Sequence, residues 1–397
     1  MSFPLTAKQQ RTIIAAILLL AVILRVIAAI VIPDQSSLLT DAIDYRASAA
    51  QILKHWQMTN LYQMPLYPLL IAMTGPGIGQ LAADIFLSVI SVWLACALTQ
   101  ELFADQYATI VAGAAAACYP PLIFFSVVGL SEILYITLIL AAFLFWYRAN
   151  FTVAAIFAVL AILTRPVFDP FAPALVLLFA LVVHRFPLPQ AIRQLAIYAV
   201  IYCSLMAPWW LNNQMAYGSF VHLTVGGGQA LYAGNNPLNH SGGGNLGVDY
   251  DLTAFKGIAD PVARNRALQN AALAYISNNP QRFLELAGLK FIRMWRLWPA
   301  NDKYKNFATV LVAIASFVPV LILATMGLFL KRRMMRRLSP ILLFGLGYTG
   351  VHMIIVGTIR YRLPLEPFLL IFAGAAASYL IRAIQSILAR PHDQVAA

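Results

Sequence analysis

The stretch TIIAAILLLAVILRVIAAIVI, from Thr12 to Ile32, is apolar over nearly its whole length and contains one charged residue, Arg25. About 20 apolar residues in a helix cross the hydrocarbon core of a bilayer, so this stretch predicts a membrane-spanning helix. It is too long for the core of a signal peptide, and no small-residue cleavage site follows it before Pro33. We therefore expect it to be retained as the first span.

The composition extends this expectation to the whole chain. Of the 397 residues, 61% are hydrophobic and 11% are charged, whereas a soluble domain has about 25% charged residues. A soluble fold of this length could not bury so much apolar surface. The three cysteines are odd in number and lie within apolar runs, so they indicate no disulfide framework.

The net charge of +12 is explained by where the basic residues lie. Cytoplasmic loops of membrane proteins accumulate Lys and Arg, and the densest cluster here is KRRMMRR, residues 331–337. If this cluster is cytoplasmic, alternation of the spans places both termini in the cytoplasm as well. The basic character therefore indicates membrane orientation and not binding to nucleic acid.

The predicted fold class is an all-α polytopic membrane protein with about ten transmembrane helices and external (periplasmic) loop helices. The spans drawn from the apolar runs are 12–32, 82–99, 108–124, 132–147, 151–166, 170–184, 191–210, 307–330, 338–358 and 366–382. No internal repeat is found, which disfavours transporters built from duplicated halves.

Three regions follow from these spans. Residues 1–211 hold seven spans and a first external loop, 33–81, which carries an acidic motif. Residues 212–306 form an external region with amphipathic helices, and residues 307–397 hold three spans and a cytoplasmic tail. Within the external region, the Gly- and Asn-rich segment 225–247 lacks the Gly-Lys-Ser/Thr ending of a phosphate-binding loop, and its composition favours a flexible loop.

A helix is also predicted from Pro280 to about Leu297 in the external region. Its basic residues Lys290, Arg293 and Arg296 recur at intervals of three along one side, and apolar and Trp residues occupy the remainder. This pattern predicts a helix lying along the membrane interface, where aromatic rings prefer to sit.

The acidic motif TDAIDYRASAAQIL, residues 40–53, is the most informative polar stretch. Asp41, Asp44 and Tyr45 share one face if the stretch is helical. A carboxylate placed beside a region of low dielectric can have a raised pKa, and it can then deprotonate an acceptor hydroxyl or amine. The alternative, a helix cap followed by an exposed acidic turn, stays open.

Further polar residues are predicted at the external ends of spans. Glu132 is an acid at the mouth of a span, where a carboxylate is costly unless it is paired or hydrated. Arg360 and Arg362 present planar guanidinium groups, which suit phosphate oxygens. Snorkelling of the two arginines to lipid headgroups is the alternative.

Taken together, these motifs resemble those of the polyprenyl-phosphate-sugar-dependent glycosyltransferases of the GT-C superfamily. The nearest branch by resemblance is that of the protein mannosyltransferases and the aminoarabinose (lipid A) transferases, which is glycosyltransferase family 39-like. The resemblance covers most of the chain, with the motifs in matching order and on matching sides of the membrane. The motifs are Asp41-x-x-x-Tyr45, Pro65-x-Tyr67-Pro68, Ser131-Glu132, Thr164-Arg165-Pro166 and Arg360-x-Arg362-x-Pro364.

The resemblance implies transfer of a sugar from a polyprenyl-phosphate donor to an acceptor on the external face of the cell inner membrane. The acceptor is a lipid, a glycan or a protein, and the process is envelope glycosylation. Two rival functions stay open: a lipid-linked sugar flippase or transporter, and a polysaccharide polymerase or ligase.

The resemblance also assigns roles to residues. An aspartate of the first external loop lies at the reaction centre, which makes Asp41 the expected base or acceptor-orienting group, with Asp44 as its rival. Glu132 is expected to position the acceptor or, with Asp41, to bind a divalent cation such as Mg²⁺ or Mn²⁺, although two carboxylates alone assign no metal site. The residues expected to bind substrate are Tyr45, Tyr67, Arg165, Arg360 and Arg362.

Overall fold

The computed structural model describes residues 5–32, 40–298 and 306–388. In these residues the chain is helical and has no named strand. The start of the first external loop, the stretch 299–305 and the end of the tail lie outside the described residues. The helices are α1 (Ala7–Val31), α2 (Thr40–His55), α3 (Leu66–Thr74), α4 (Ile78–Phe103), α5 (Gln106–Cys118), α6 (Pro120–Phe125), α7 (Glu132–Tyr147), α8 (Phe151–Thr164), α9 (Phe171–Leu178), α10 (Leu188–Tyr217), α11 (Gly227–Gly234), α12 (Pro261–Asn278), α13 (Pro280–Trp295), α14 (Phe307–Leu330), α15 (Met335–Ile354), α16 (Ile359–Arg362) and α17 (Glu366–Leu388).

In the described part of the chain, five helices are long and apolar enough to cross a membrane, judged by length and composition: α1, α4, α10, α14 and the continuous stretch of α16 and α17. The chain is thus a multi-pass membrane protein. These five correspond to five of the predicted spans. The other predicted spans coincide with shorter or more polar helices, α5, α7, α8, α9 and α15, so the number of ten stays a prediction.

Helix α7 forms the centre of the bundle. Every residue of α7 except Phe145 is buried, as expected of a helix that is apolar on all sides. It packs against α4 on one side and α8 on another. By contrast, α14 has few buried residues and packs mainly along α17, so most of its apolar surface faces outward.

Small residues allow α17 to approach its neighbours closely. A Cβ atom on Gly374 would lie 2.6 Å from the Ala108 carbonyl oxygen of α5. On the other side of α17, a Cβ on Gly327 of α14 would lie 2.0 Å from the Phe372 carbonyl oxygen. Backbones that approach this closely are typical of helix pairs in membranes, where packing replaces the hydrophobic effect as the driving force.

The Gly- and Asn-rich segment is folded, and the interpretation as a flexible loop is wrong. Asn235, Asn236 and Asn239 are buried, and each donates side-chain hydrogen bonds to at least two backbone carbonyl groups. Asp249 closes the segment by accepting from the Ser241 hydroxyl at 2.6 Å. The asparagine side chains therefore supply the hydrogen-bond donors that the backbone carbonyl groups of this segment need.

Helix α13 confirms the helix predicted from Pro280. Its orientation differs from the prediction, because a basic side chain of α13 is buried in the protein and apolar side chains are exposed. Leu284 and Ile292, on its apolar side, are exposed. Lys290 is buried and points toward the Asn-rich segment. The buried side of α13 thus combines Lys290 with the apolar Leu286, Ala287 and Met294, and further apolar side chains face outward.

We expect Gly374→Ala to lower the melting temperature of the detergent-solubilised protein. The added methyl group must push α17 away from α5, and overpacking of this kind costs about 1–3 kcal/mol. The control is Gly350→Ala in α15, where a Cβ meets no atom within 4 Å and the helix propensity of Ala favours the variant. Equal melting temperatures for the two variants would contradict the close α5–α17 packing.

Candidate functional site

Four charged residues from distant parts of the chain meet at one end of the bundle. Arg360 donates to Asp41 at 2.6 Å through one terminal nitrogen, and its Nε donates to Glu132. Arg165 donates to the same oxygen of Glu132 at 2.6 Å. We call these residues (Asp41, Glu132, Arg165 and Arg360) the charged cluster, and the end of the bundle that holds it the site end.

Local sequence explains how each of these residues arrives there. Glu132 opens α7 and Asp41 lies in the first turn of α2. Arg165 precedes Pro166 and is extended, with φ −145° and ψ 121°, because a residue before proline avoids the helical region. This ends α8 at the level of Glu132. Arg360 lies in the single turn of α16, immediately before α17.

The two carboxylates of the cluster differ in environment. The Glu132 side chain is 0% exposed, and that of Asp41 is 49% exposed. A buried carboxylate is tolerated when it is paired, and Glu132 has two guanidinium partners. Its second oxygen, Oε2, has no partner among the described residues. Glu132 thus anchors the two arginines, whereas Asp41 is the carboxylate that an incoming molecule can reach.

Asp44 lies one helical turn from Asp41 on α2 and makes no ion pair with any described residue. Partial burial, and then the nearby charge of Asp41, raise the pKa of Asp44 above its usual range. The helix predicted for the acidic motif is confirmed, and both aspartates lie at the site end. A carboxyl with a raised pKa is a stronger base once it is ionised.

The two tyrosines predicted to bind substrate, Tyr45 of α2 and Tyr67 of α3, are buried where these helices pack together. The Tyr45 hydroxyl lies 2.9 Å from the Ser131 hydroxyl, and burial raises the pKa of Tyr45. The Tyr67 hydroxyl donates to Asp84 at 2.7 Å. The two rings meet edge to face with their centres 4.9 Å apart. They form a floor beside the charged cluster, with both hydroxyl groups engaged by protein groups.

Arg362 is not brought to the cluster. Its guanidinium group is buried, donates to Glu366 at 2.7 Å and to the Arg296 carbonyl at 2.8 Å, and lies 3.6 Å from the centre of the Phe317 ring. The reason is geometric, since residues two apart in a helical turn point to different sides. Arg360 therefore belongs to the charged cluster, whereas Arg362 stabilises the packing at the start of α17.

A short segment, residues 355–358, joins α15 to α16 and sets the position of Arg360; we call it the strap. Lys290 donates to the Ile354 carbonyl and to the Asn235 side chain, both at 2.9 Å. Asn235 donates to the same Ile354 carbonyl at 2.8 Å. A Cβ on Gly234 would lie 1.6 Å from the Ile355 carbonyl oxygen. The Asn-rich segment and Lys290 thus fix the place where α15 ends and the strap begins.

Sequence reasoning did not find this role of Lys290. In the sequence, Lys290 has the same spacing as Arg293 and Arg296, so nothing distinguishes a buried cation from two neighbouring basic residues on the same side of the helix. Burial raises the cost of the charged form and lowers the pKa of Lys290 to about 8.

The residues around Asp41 and Glu132 do not fit a resident divalent cation. The guanidinium group of Arg360 already lies between the two carboxylates, and the charged cluster sums to no net formal charge. No group of three or more Asp, Glu, His or Cys side chains with metal-binding geometry occurs among the described residues. A cation between these carboxylates would have to displace Arg360.

The sequence matches no family model, and it matches no curated protein. Solved structures do match. The oligosaccharyltransferase of Archaeoglobus fulgidus, tethered to an acceptor peptide that contains the NVT sequon, aligns with a TM-score of 0.55 and 14% identity over 98% of this chain and 52% of that one.

Two other structures show related similarity. The archaeal oligosaccharyltransferase AglB from Archaeoglobus fulgidus, in complex with an inhibitory peptide and a dolichol-phosphate, aligns with a TM-score of 0.52 and 12% identity over 96% of this chain and 52% of that one. ArnT from Cupriavidus metallidurans, bound to undecaprenyl phosphate, has a TM-score of 0.46 and 13% identity over 97% of this chain and 64% of that one.

The chain spans about half the length of the oligosaccharyltransferases it matches. At this identity the similarity shows the fold. The predicted all-α membrane fold is thus confirmed, and it is a fold shared with these oligosaccharyltransferases.

The pKa of Lys290 predicts a pH dependence of stability. Below pH 8 Lys290 is charged in both the folded and the unfolded chain. Between about pH 8 and the usual pKa of a lysine, 10.5, the folded chain has lost this proton and the unfolded chain has kept it, so the free energy of unfolding rises with pH. We expect the melting temperature of the wild type, relative to that of Lys290→Met, to increase from pH 7 to pH 10.

The control for this measurement is Lys256→Met, which removes an exposed lysine. The difference between the wild type and this control should stay constant over the same pH range. A constant difference for Lys290→Met as well would contradict the burial of a charged Lys290 under the strap.

Proposed function

We propose that this protein is a membrane glycosyltransferase that moves a sugar from a polyprenyl-phosphate donor to a lipid, glycan or protein acceptor. The supporting observation is the charged cluster, which places an accessible carboxylate beside two guanidinium groups at one end of a fold shared with oligosaccharyltransferases. Among the matched oligosaccharyltransferase structures, one is tethered to an acceptor peptide and another contains dolichol-phosphate.

The proposed chemistry needs little beyond these side chains. The bond between the anomeric carbon and the phosphate oxygen breaks, and a bond from the acceptor oxygen or nitrogen to that carbon forms. The acceptor proton passes to a carboxylate, and the polyprenyl phosphate leaves as a stable anion. A strong general acid is not required, in contrast with glycosidases, which use a second carboxylic acid to protonate the leaving group.

Arg360 is the cation assigned to the departing phosphate, with Arg165 beside it. In the structure one terminal nitrogen of Arg360 is occupied by Asp41. A donor phosphate competes with Asp41 for this guanidinium, because both present oxygen acceptors to the same fork. Donor binding therefore frees the Asp41 carboxylate to accept the acceptor proton. Asp44, which has no cationic partner among the described residues, is the alternative base.

The proposed location is the cell inner membrane, with both termini cytoplasmic and the site end external. The basic cluster at residues 331–337 supports this orientation. Tyr147, at the opposite end of α7 from Glu132, donates to the Arg337 carbonyl at 2.7 Å, and Arg337 pairs with Glu101 at 3.0 Å. The positive-inside rule then places the site end on the other face of the membrane.

We expect the wild type in nanodiscs to release polyprenyl phosphate from one of a panel of labelled polyprenyl-phosphate sugars, with envelope extract as acceptor and mass spectrometry as readout. Loss of a general base lowers a rate by about 10²–10⁴-fold, so Asp41→Asn should release the product at least about a hundredfold more slowly. Asp251→Asn, at an exposed position, is the matched control and should behave as the wild type.

Asp44→Asn decides between the two carboxyls. If Asp44 is the base, this variant loses the activity, and the wild-type rate falls with decreasing pH already above the usual range of Asp because the pKa of Asp44 is raised. Normal rates in both Asp→Asn variants would overturn the assignment. No release by folded wild type with any donor, in the presence of acceptor, would favour a transporter.

A further inference from the structure

A second polar cluster lies beside the charged cluster and lines a cavity of about 230 Å³. The cavity is at the site end, between the end of α1, helix α2 and the start of α4. Most of its walls are apolar, and its polar lining consists of Arg46, Gln80 and Asp84. Next to it, Ile30 and Ile78 are 78% and 85% exposed, so its rim is continuous with the apolar outer surface of the bundle.

The polar side chains form a chain of hydrogen bonds that runs in one direction. Arg46 Nε donates to the Gln80 side-chain oxygen at 3.0 Å. The Gln80 amide donates to the Tyr67 hydroxyl at 3.1 Å, and this hydroxyl donates to Asp84 Oδ2 at 2.7 Å. The chain fixes both ends, Arg46 and Asp84, relative to each other.

Both ends have hydrogen-bonding capacity to spare. Asp84 is 1% exposed, and its Oδ1 atom has no partner among the described residues. The two terminal nitrogens of Arg46 make no hydrogen bond or ion pair within the described part of the chain. A buried polar atom without a partner is costly. The cavity therefore offers one unused acceptor and a set of unused donors between apolar walls.

These features select a class of ligand. An alkyl chain would leave both polar ends unpaired. A phosphate group would pair with Arg46, but with its acceptor oxygens it suits Asp84 only when that carboxyl carries a proton. A hydroxyl group both donates and accepts, and a sugar ring carries several hydroxyl groups around a partly apolar ring. The exposed apolar rim suits a sugar that is attached to a membrane lipid.

We infer that this cavity is a sugar-recognition subsite in which Asp84 accepts a hydrogen bond from one hydroxyl group of a lipid-linked sugar and Arg46 donates to another. The inference rests on the proposed function and adds a determinant of which sugar is used. The rings of Tyr67 and Tyr45 link the subsite to Ser131, because Tyr67 donates to Asp84 and packs against Tyr45, whose hydroxyl lies 2.9 Å from that of Ser131. Arg46 and Asp84 are thus specificity residues beside the reaction centre, and the sugar belongs to the donor or to a glycolipid acceptor.

The test compares the binding of a sugar-linked polyprenyl phosphate with that of bare polyprenyl phosphate, measured by native mass spectrometry of nanodiscs without acceptor. A hydrogen bond to a charged group is generally worth about a factor of ten or more. We expect the wild type to prefer the sugar-linked lipid at least about tenfold. Asp84→Asn and Arg46→Gln should reduce this preference to about twofold or less and leave the binding of the bare lipid unchanged.

A pair of variants tests the cavity itself. Ala29→Phe places a ring in the cavity, because Ala29 lines it, whereas Ile30→Phe changes the adjacent exposed position. Only Ala29→Phe should abolish the preference for the sugar-linked lipid. Since a general loss of stability would weaken the binding of both lipids, a change in preference alone reports on the subsite.

The outcomes separate this inference from the proposed function. If the variants keep the donor preference but need more envelope extract than the wild type for half-maximal release of polyprenyl phosphate, the recognised sugar belongs to the acceptor. If they change neither quantity, the sugar-recognition subsite is overturned while the proposed function stands. If the wild type binds neither lipid, the proposed function itself fails.

Discussion

The site depends on one electrostatic constraint, the burial of the Glu132 carboxylate at the start of α7. A carboxylate at this depth is stable only with cationic partners, and Arg165 and Arg360 supply them from two other parts of the chain. Removing either partner leaves a buried charge only partly compensated. The first turn of α7, the end of α8 and the turn of α16 are therefore held together by charge at the place where the proposed reaction occurs.

The position of Arg360 depends on the short helix α16 and on the strap that precedes it. α16 has only four residues, too few to be stable alone, because the first turn of a helix is costly to form. The start of the strap before it is held by other elements, because the amine of Lys290 and the amide of Asn235 both bind the Ile354 carbonyl. This explains why glycines occur where the segment meets the strap, since a side chain on Gly234 would overlap the backbone of Ile355.

Much of the fold follows from apolar patterning, and the long spans and α2 were predicted from the sequence alone. Asp41, Glu132, Arg165 and Arg360 were also predicted as site residues, and the structure brings them together. Arg362 separates from Arg360 because residues two apart in a helical turn point to different sides, and no helix was predicted for this segment. The Asn-rich segment was misread because composition reports exposure only on average, whereas buried asparagines depend on carbonyl groups supplied by distant elements. Arg46, Gln80 and Asp84 lie in three different turns, and their linkage through Tyr67 has no signature in sequence spacing.

The separation of charges along α7 has an energetic consequence for turnover in a living membrane. The charged cluster lies at one end of α7, and the basic residues around Arg337 lie at the other. In the proposed reaction the proton, the phosphate anion and the responding side chains all stay at the site end. Moving one elementary charge across the membrane changes the free energy by about 2.3 kcal/mol per 100 mV. Because no formal charge crosses the hydrocarbon layer in this reaction, the transmembrane voltage neither drives nor opposes the transfer step.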